Sequence, residues 1–344
     1  MMTDFRYSFK GKGLNERGGD NEGGTGPSFW IILGIVSLVM IGLVYLFISS
    51  NRSATAPEPV PEKEAKVEDK GRKTDVVPPV PGKEQETSPR KSSKSAGEYK
   101  MLSDDCTKAE ELLKNEQIVP ARDEAVKILK SGIEEDDPVW KRAVAVLNKS
   151  NTTIFFTDIP APEKQLYLIQ KGDSLIKIAM DFNTTIDAIQ KGNRMNPSNP
   201  VIHPGKTLKI YKGGWKVKIS KKRFKLYLYD NDNIFMIYNI GIGKQGRTPL
   251  GTFEVEVKKK EPVWYKDGKQ VPYGDKENIL GTRWMALKPT AGTNPNYKGY
   301  GIHGTWTPDE IGKDTSNGCI RMRNEDISDL YMIVPLKTKV LIED

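Results

Sequence analysis

Gly301-Ile302-His303-Gly304-Thr305 and, a short spacer later, Thr315-Ser316-Asn317-Gly318-Cys319-Ile320-Arg321-Met322-Arg323-Asn324 decide how this chain reads. Only two histidines and two cysteines occur in 344 residues, and this segment holds one of each. A thiol becomes a good nucleophile as its thiolate, and an imidazole is the side chain whose ordinary pKa suits removal of that proton near neutrality. His303 ends a short apolar run at Gly304, as a strand tip does. Cys319 follows the turn signal Ser316-Asn317-Gly318, an accessible place for a thiol. A lone cysteine is more often a small buried hydrophobe; its position at the edge of a turn favours the reactive reading here.

Working outward, residues 215–253 read as β. Lys216-Val-Lys-Ile alternates, Phe224-Lys-Leu-Tyr-Leu-Tyr is rich in strand formers, and Asp230-Asn-Asp-Asn is a hairpin turn. Residues 234–242, 255–263, 284–287, 299–303 and 340–342 add strands. One helix is expected from Asn324, as its N-cap, to about Ile333, with Asp326 in the first turn. The expected fold of residues 213–344 is a mainly β sandwich or barrel-like domain carrying a single helix.

The cysteine segment closely resembles the signature of L,D-transpeptidases with the YkuD-type catalytic domain. Gly241-Ile-Gly-Lys … Arg247-Thr-Pro249-Leu-Gly251-Thr-Phe253 resembles that family's glycine-rich hairpin. Asn278-Ile-Leu-Gly281 resembles its Asn-Pro-Leu-Gly segment, with Ile279 where Pro is usual. The resemblance implies Cys319 as nucleophile, His303 as proton acceptor and donor, and the Gly304 carbonyl as the group that orients the imidazole. Backbone N–H groups of Asn317 and Gly318 are candidates for an oxyanion hole. Arg321 is a candidate for holding a substrate carboxylate or ordering the site, with a structural ion pair beneath the cysteine loop as the other reading. Tyr300, Trp284 and Trp306 are candidate cleft walls. The implied reaction forms a thioester on a tetrapeptide stem of peptidoglycan, with release of D-Ala. A stem amine, a protein lysine or water could then take the acyl group. A non-catalytic wall-binding protein is the alternative from a different class.

A second module begins at Leu166-Tyr-Leu-Ile-Gln-Lys-Gly172-Asp173-Ser174-Leu175. Its strand runs into a turn, Asp173 or Ser174 caps a helix, a second helix starts near Thr184-Thr-Ile186, and Pro204-Gly205-Lys-Thr-Leu208-Lys-Ile210 returns as a strand. Residues 165–211 resemble a LysM domain, which implies a β-α-α-β unit that binds N-acetylglucosamine-containing glycan. By that resemblance the groove residues are Gly172, Asp173, Ser174 and Leu175 with Asn199, Val201 and Ile202. His203 reads as an incidental surface residue.

The rest is modular. Residues 1–28 form a leader with balanced charge. Residues 29–48 are twenty residues without a charge, long enough for a bilayer core of about 30 Å, and read as an uncleaved membrane anchor. Orientation is taken from the implied substrate, which places the catalytic part outside the cytoplasm of a bacterium. Residues 49–98, rich in Ser, Pro, Lys and Glu, read as a disordered tether. Residues 99–158 show three helical periodicities, with Pro120 and Pro138 at first-turn positions and Ser131-Gly132 as a stop, and read as a spacer or docking bundle. The formal net charge of +8 suits an anionic surface such as wall polymer or lipid headgroups, or simply a solvated basic exterior, and no nucleic-acid motif accompanies it. No cofactor, metal site or disulfide between Cys106 and Cys319 is expected.

Overall fold

The computed structural model describes residues 94–344 apart from Asp267 and Ala291. The leader 1–28, the candidate anchor 29–48 and nearly all of the tether lie outside the described residues. No helix among the described residues is long and apolar enough to cross a membrane.

Three helices come first: α1 (Ala96–Lys114), α2 (Ile118–Lys130) and α3 (Pro138–Phe156). Ser95 and Glu98 form a reciprocal capping box at α1. Ser131 ends α2 and Gly132 follows at φ +77°. Pro138 opens α3 beneath an Asp137 cap, whose carboxylate accepts the Val139 N–H at 2.8 Å. Pro120 sits two residues inside α2, still in the first turn, where a missing N–H removes no intrahelical bond.

The helices pack on the sheet that follows, α3 against its last strand. The small module comes next: β1 (Lys164–Leu168), α4 (Leu175–Asp181), α5 (Ile186–Gly192) and β2 (Thr207–Tyr211). β1 and β2 pair antiparallel. Ser174 caps α4 and Thr185 caps α5. Ile169, Leu175, Ile178, Ile189, Leu208 and Ile210 fill its core.

The C-terminal portion is built on an eight-stranded sheet. Its strands are β3 (Trp215–Ser220), β4 (Lys225–Asp230), β5 (Asn233–Asn239), β7 (Gly251–Lys260), β10 (Arg283–Pro289), β11 (Gly301–Thr305), β13 (Ile320–Arg323) and β14 (Lys339–Glu343). Their order is β13-β11-β10-β7-β14-β3-β4-β5, parallel at β13/β11 and β14/β3 and antiparallel elsewhere. The sheet nearly closes on itself: just past β5, Gly241 exchanges two 2.9 Å backbone hydrogen bonds with Arg321 of β13. Two short pairs lie outside it, β6 (Ile242–Gly243) with β12 (Asp314–Ser316) and β8 (Trp264–Lys266) with β9 (Lys269–Val271). Phe253, Val255, Met285, Leu287, Ile302, Ile320 and Met322 point inward against α6 (Asn324–Ile333), which buries Ile327, Leu330 and Ile333.

Asn324 is not the cap of α6. Arg323 holds that position without a side-chain bond, and the Asn324 amide is spent on β11, where Nδ2 donates to the Thr305 carbonyl at 2.9 Å.

Candidate active site

Parallel pairing of β11 with β13 sets Ile302 opposite Ile320 and His303 opposite Arg321. Side chains alternate along a strand and paired residues share a face. Ile302, Ile320 and Met322 take the inner face, all fully buried. His303 and Arg321 therefore take the other, and so does Cys319, two residues ahead of Arg321. All three line one cleft of about 340 Å³, with Trp284, Ser316, Asn317, Ile279, Leu280, Trp264 and Tyr265 among its walls. Trp284 lies nearly parallel to the imidazole, ring centroids 5.8 Å apart. Trp306 is half exposed, packs against Tyr273, and does not line the cleft.

His303 is 2 % exposed. Its Nδ1 is 2.6 Å from the Gly304 carbonyl oxygen. A carbonyl only accepts, so the bond fixes the proton on Nδ1 and leaves the Nε2 lone pair available. Burial lowers the imidazole pKa to about 4; the Gly304 carbonyl pushes it back up, the Arg321 guanidinium pushes it further down, and the Leu280 backbone raises it slightly. Cys319 is half-buried, its Sγ 3.8 Å from the Gly299 carbonyl oxygen. Burial pushes this thiol above its ordinary value, opposed by the Gly301 backbone and by Arg321. Burial thus favours the uncharged form of both groups: a thiol and an unprotonated imidazole lining the same cleft.

The turn carrying the cysteine is tied down from several elements. The Ser316 hydroxyl donates to the Cys319 carbonyl at 2.7 Å and accepts the Gly318 N–H at 3.0 Å. Because that N–H has one proton and Ser316 holds it, Gly318 is not a free oxyanion donor, contrary to the expectation from the sequence. Gly318 has φ +133°, and a Cβ there would lie 2.6 Å from Tyr300 Cε1, so only glycine fits. Thr248, fully buried, donates to the Gly318 carbonyl at 2.9 Å and accepts the Gly243 N–H at 2.8 Å. That hydroxyl joins the glycine-rich hairpin to the cysteine turn. Arg247 Nη1 donates to Asn317 Oδ1 at 3.2 Å. The Arg321 guanidinium is engaged with Glu310 at 2.6 Å and with the Thr315 hydroxyl at 3.3 Å. Glu310 in turn accepts from the Thr305 hydroxyl at 3.2 Å.

Behind the histidine, Asn324 Oδ1 accepts the Thr282 N–H at 3.0 Å. A Cβ on Gly304 would lie 2.1 Å from that oxygen and one on Gly281 2.3 Å from it, which explains both glycines. Asn278, also buried, donates to the Pro262 and Val271 carbonyls and accepts the Leu280 N–H, fixing the loop beside His303.

Sequence reading assigned no role to Glu310, placed Thr248 only within the glycine-rich hairpin, and took Asn324 for a helix cap; their actual partners lie on other elements. Cys106 is fully buried in the helical bundle, its Sγ 3.8 Å from the Val139 carbonyl oxygen. Among the described residues no cluster of His, Cys, Asp and Glu is placed to hold a metal ion.

In the small module Leu175 belongs to the core and not to a groove. The Asp173 carboxylate is turned inward, accepting from the Tyr167 hydroxyl at 2.6 Å and the Gln170 N–H at 2.8 Å. Gly172, Ser174, Asn199 and Val201 are exposed, Ile202 partly so. His203 is exposed.

The fold is a mainly β domain in which a cysteine just ahead of β13 and a histidine of β11 line one cleft, and the comparisons give its family. The model of the L,D-transpeptidase catalytic domain, YkuD, matches residues 214–342, and the LysM domain model matches residues 167–210. YkuD of Bacillus licheniformis, which carries the L,D-transpeptidase name, is 30% identical over 188 residues, covering 52% of this chain and 98% of that protein. YqjB of Bacillus subtilis, of the same name, is 36% identical over 129 residues, covering 37% of this chain and 70% of that protein. A solved L,D-transpeptidase from Mycobacterium smegmatis aligns at 17% identity and a TM-score of 0.31 over 41% of this chain and 64% of that one. The chain belongs to the L,D-transpeptidase family.

Proposed function

We propose that the chain is a peptidoglycan L,D-transpeptidase that works through a cysteine thioester on tetrapeptide stems. The observation that carries this reading is the shared face of Cys319 and His303 in one cleft, with the imidazole held neutral and its proton fixed on Nδ1.

Sulfur attacks the carbonyl between the third residue and D-Ala as His303 Nε2 takes the thiol proton. Coupling the two events fits a resting pair in which burial disfavours both ions. The imidazolium formed in that step is stabilised by the Gly304 carbonyl, which takes the place of the carboxylate in a serine triad. Developing negative charge on the carbonyl oxygen faces the cysteine turn. The Cys319 amide, with that of Asn317, replaces Gly318 as the candidate donor, and such a donor contributes about 3 kcal/mol. His303 then protonates the departing D-Ala amine, and the thioester awaits an acceptor. Arg321, engaged with Glu310, acts as an ordering group.

The LysM module is assigned to N-acetylglucosamine-containing glycan, holding the enzyme on its polymer. The catalytic part is assigned outside the bacterial cytoplasm, with residues 29–48 as its anchor; alkaline phosphatase fused after residue 344 should be active in cells, and an inactive fusion defeats that placement.

Incubation with disaccharide-tetrapeptide, followed by mass spectrometry, tests the activity. Cross-linked dimers are the expected product. Loss of one D-Ala alone identifies water as the acceptor, and no change with intact wild-type protein defeats the enzymatic reading. A carbapenem should add one covalent mass to the wild type and none to Cys319→Ala.

A further inference from the structure

The lysine run Lys258-Lys259-Lys260 near the end of β7 is split by the pleat of the strand. Lys258 turns in behind the sheet, where Nζ donates to the Tyr331 and Val334 carbonyls at 2.5 and 2.6 Å, at the C-terminal end of α6. Lys260, on the same face, pairs with Asp187 of the LysM module. Lys259 points the opposite way and lines the cleft.

Strand register makes that placement definite. Lys259 is opposite Trp284, Trp284 is opposite His303, and His303 is opposite Arg321, so the four form one transverse row on the cleft face. Lys259 stands two strands from His303, about 10 Å at ordinary strand spacing. Arg321, at the other end of the row, is neutralised by Glu310. Lys259 is exposed, and among the described residues it has no ion pair, hydrogen bond or ring contact. Among the described residues, none that lines the cleft is acidic, and the cleft presents one uncompensated cation beside apolar and aromatic walls.

We propose that Lys259 is a specificity-determining residue that receives a carboxylate of the acyl-donor peptide, so that donors with that carboxylate free are preferred over donors in which it is an amide. This rests on the acyl-donor reading given above. The carboxylate belongs to the part of the donor that reaches Lys259, whose backbone lies about 10 Å from that of His303.

Calorimetric binding to Cys319→Ala protein measures the effect without turnover. The probes are a tetrapeptide stem with its carboxylates free and the same stem with its side-chain carboxylates amidated. The free acid should bind about tenfold more tightly, the scale of one charge-assisted hydrogen bond. The ratio should fall close to one in Cys319→Ala carrying K259Q, return with K259R, and shrink as salt is raised. A ratio that K259Q leaves unchanged, or no preference in the parent protein, overturns the role of Lys259 and leaves the acyl-donor reading standing. Absence of binding by both peptides, together with absence of turnover by the wild type, removes the acyl-donor reading and this inference with it.

Discussion

At the scale of single residues, the proposed chemistry needs an imidazole that is neutral, oriented and close to a thiol. In that mechanism His303 must be deprotonated to act as the base. Its pKa is lowered to about 4, below the ordinary histidine value, so it stays competent well into acid. Carbapenem acylation of Cys319 should hold its neutral-pH rate down to about pH 5 and fall through about pH 4; an acid limb at pH 6 to 7 would show that the ring is solvated when it reacts. Because burial raises the Cys319 thiol, alkylation by iodoacetamide should keep increasing above pH 9, with no plateau near neutrality. Asn324 holds the backbone that flanks His303 and Gly304. Removing its amide leaves the Thr282 N–H and the Thr305 carbonyl without partners and opens space beside Gly304. Asn324→Ala should therefore cost about 2–4 kcal/mol of stability and slow acylation more than tenfold, on the scale of unsatisfied buried groups. Gly304→Ala should be as damaging for the reverse reason, since its Cβ would collide with the same oxygen; a Gly304→Ala protein acylated at the wild-type rate would contradict the packing.

At the scale of elements, the helical segment proves to be the cover of a sheet edge. β5 is the last strand of the ordered row, and α3 lies along it. Asn148 donates to the Ile237 carbonyl at 2.7 Å and accepts the Ile237 N–H at 3.0 Å, as a neighbouring strand would. Asn151 donates to the Phe235 carbonyl at 2.7 Å. An uncovered edge of this kind invites pairing with another chain. Asn148→Ala should lower stability by about 1–3 kcal/mol, speed hydrogen exchange at the Ile237 amide, and promote concentration-dependent association visible by light scattering. Unchanged exchange would show that the edge is held by other means. This element also marks what the sequence could and could not say. The three helices were legible from their apolar spacing. Asn148 and Asn151 were not, because periodicity reads a polar helix residue as solvent-facing, whereas these two meet backbone polar groups of a strand more than eighty residues away. Strands β3, β4, β5, β7, β10, β11 and β14 announce themselves by alternation or β-rich runs. β6, β8, β9 and β12 have two or three residues each, too few to show any period. His303 and Cys319 stand out in the sequence because their residue types are rare in this chain. Thr248, Glu310 and Asn324 are common residue types whose roles arise only when the barrel seam closes.

At the scale of the whole described portion, three modules share one aromatic junction. Phe155 at the end of α3 is 3 % exposed and meets Tyr211 of the LysM module at 5.0 Å, Trp215 of β3 at 5.6 Å and Phe235 of β5 at 6.0 Å between ring centroids. Tyr211 stacks on Trp215, and its hydroxyl donates to Asp230 at the end of β4. The LysM helices add further ties: the Thr185 hydroxyl donates to the Met332 carbonyl of α6, Asp187 pairs with Lys260, and Asn183 Nδ2 donates to the Gly213 carbonyl. Modules joined only by tethers melt separately, whereas modules that complete one another's core melt together. Residues 94–344 should therefore unfold in one calorimetric transition, and two resolved transitions in the wild type would contradict a shared core. Phe155→Ala removes the ring common to all three, at a cost of about 3–5 kcal/mol for a buried phenylalanine. If the junction is what couples the modules, that variant should also broaden or split the transition. Phe182→Ala, whose ring packs on Tyr167 within the LysM core, should lower the melting temperature without splitting it.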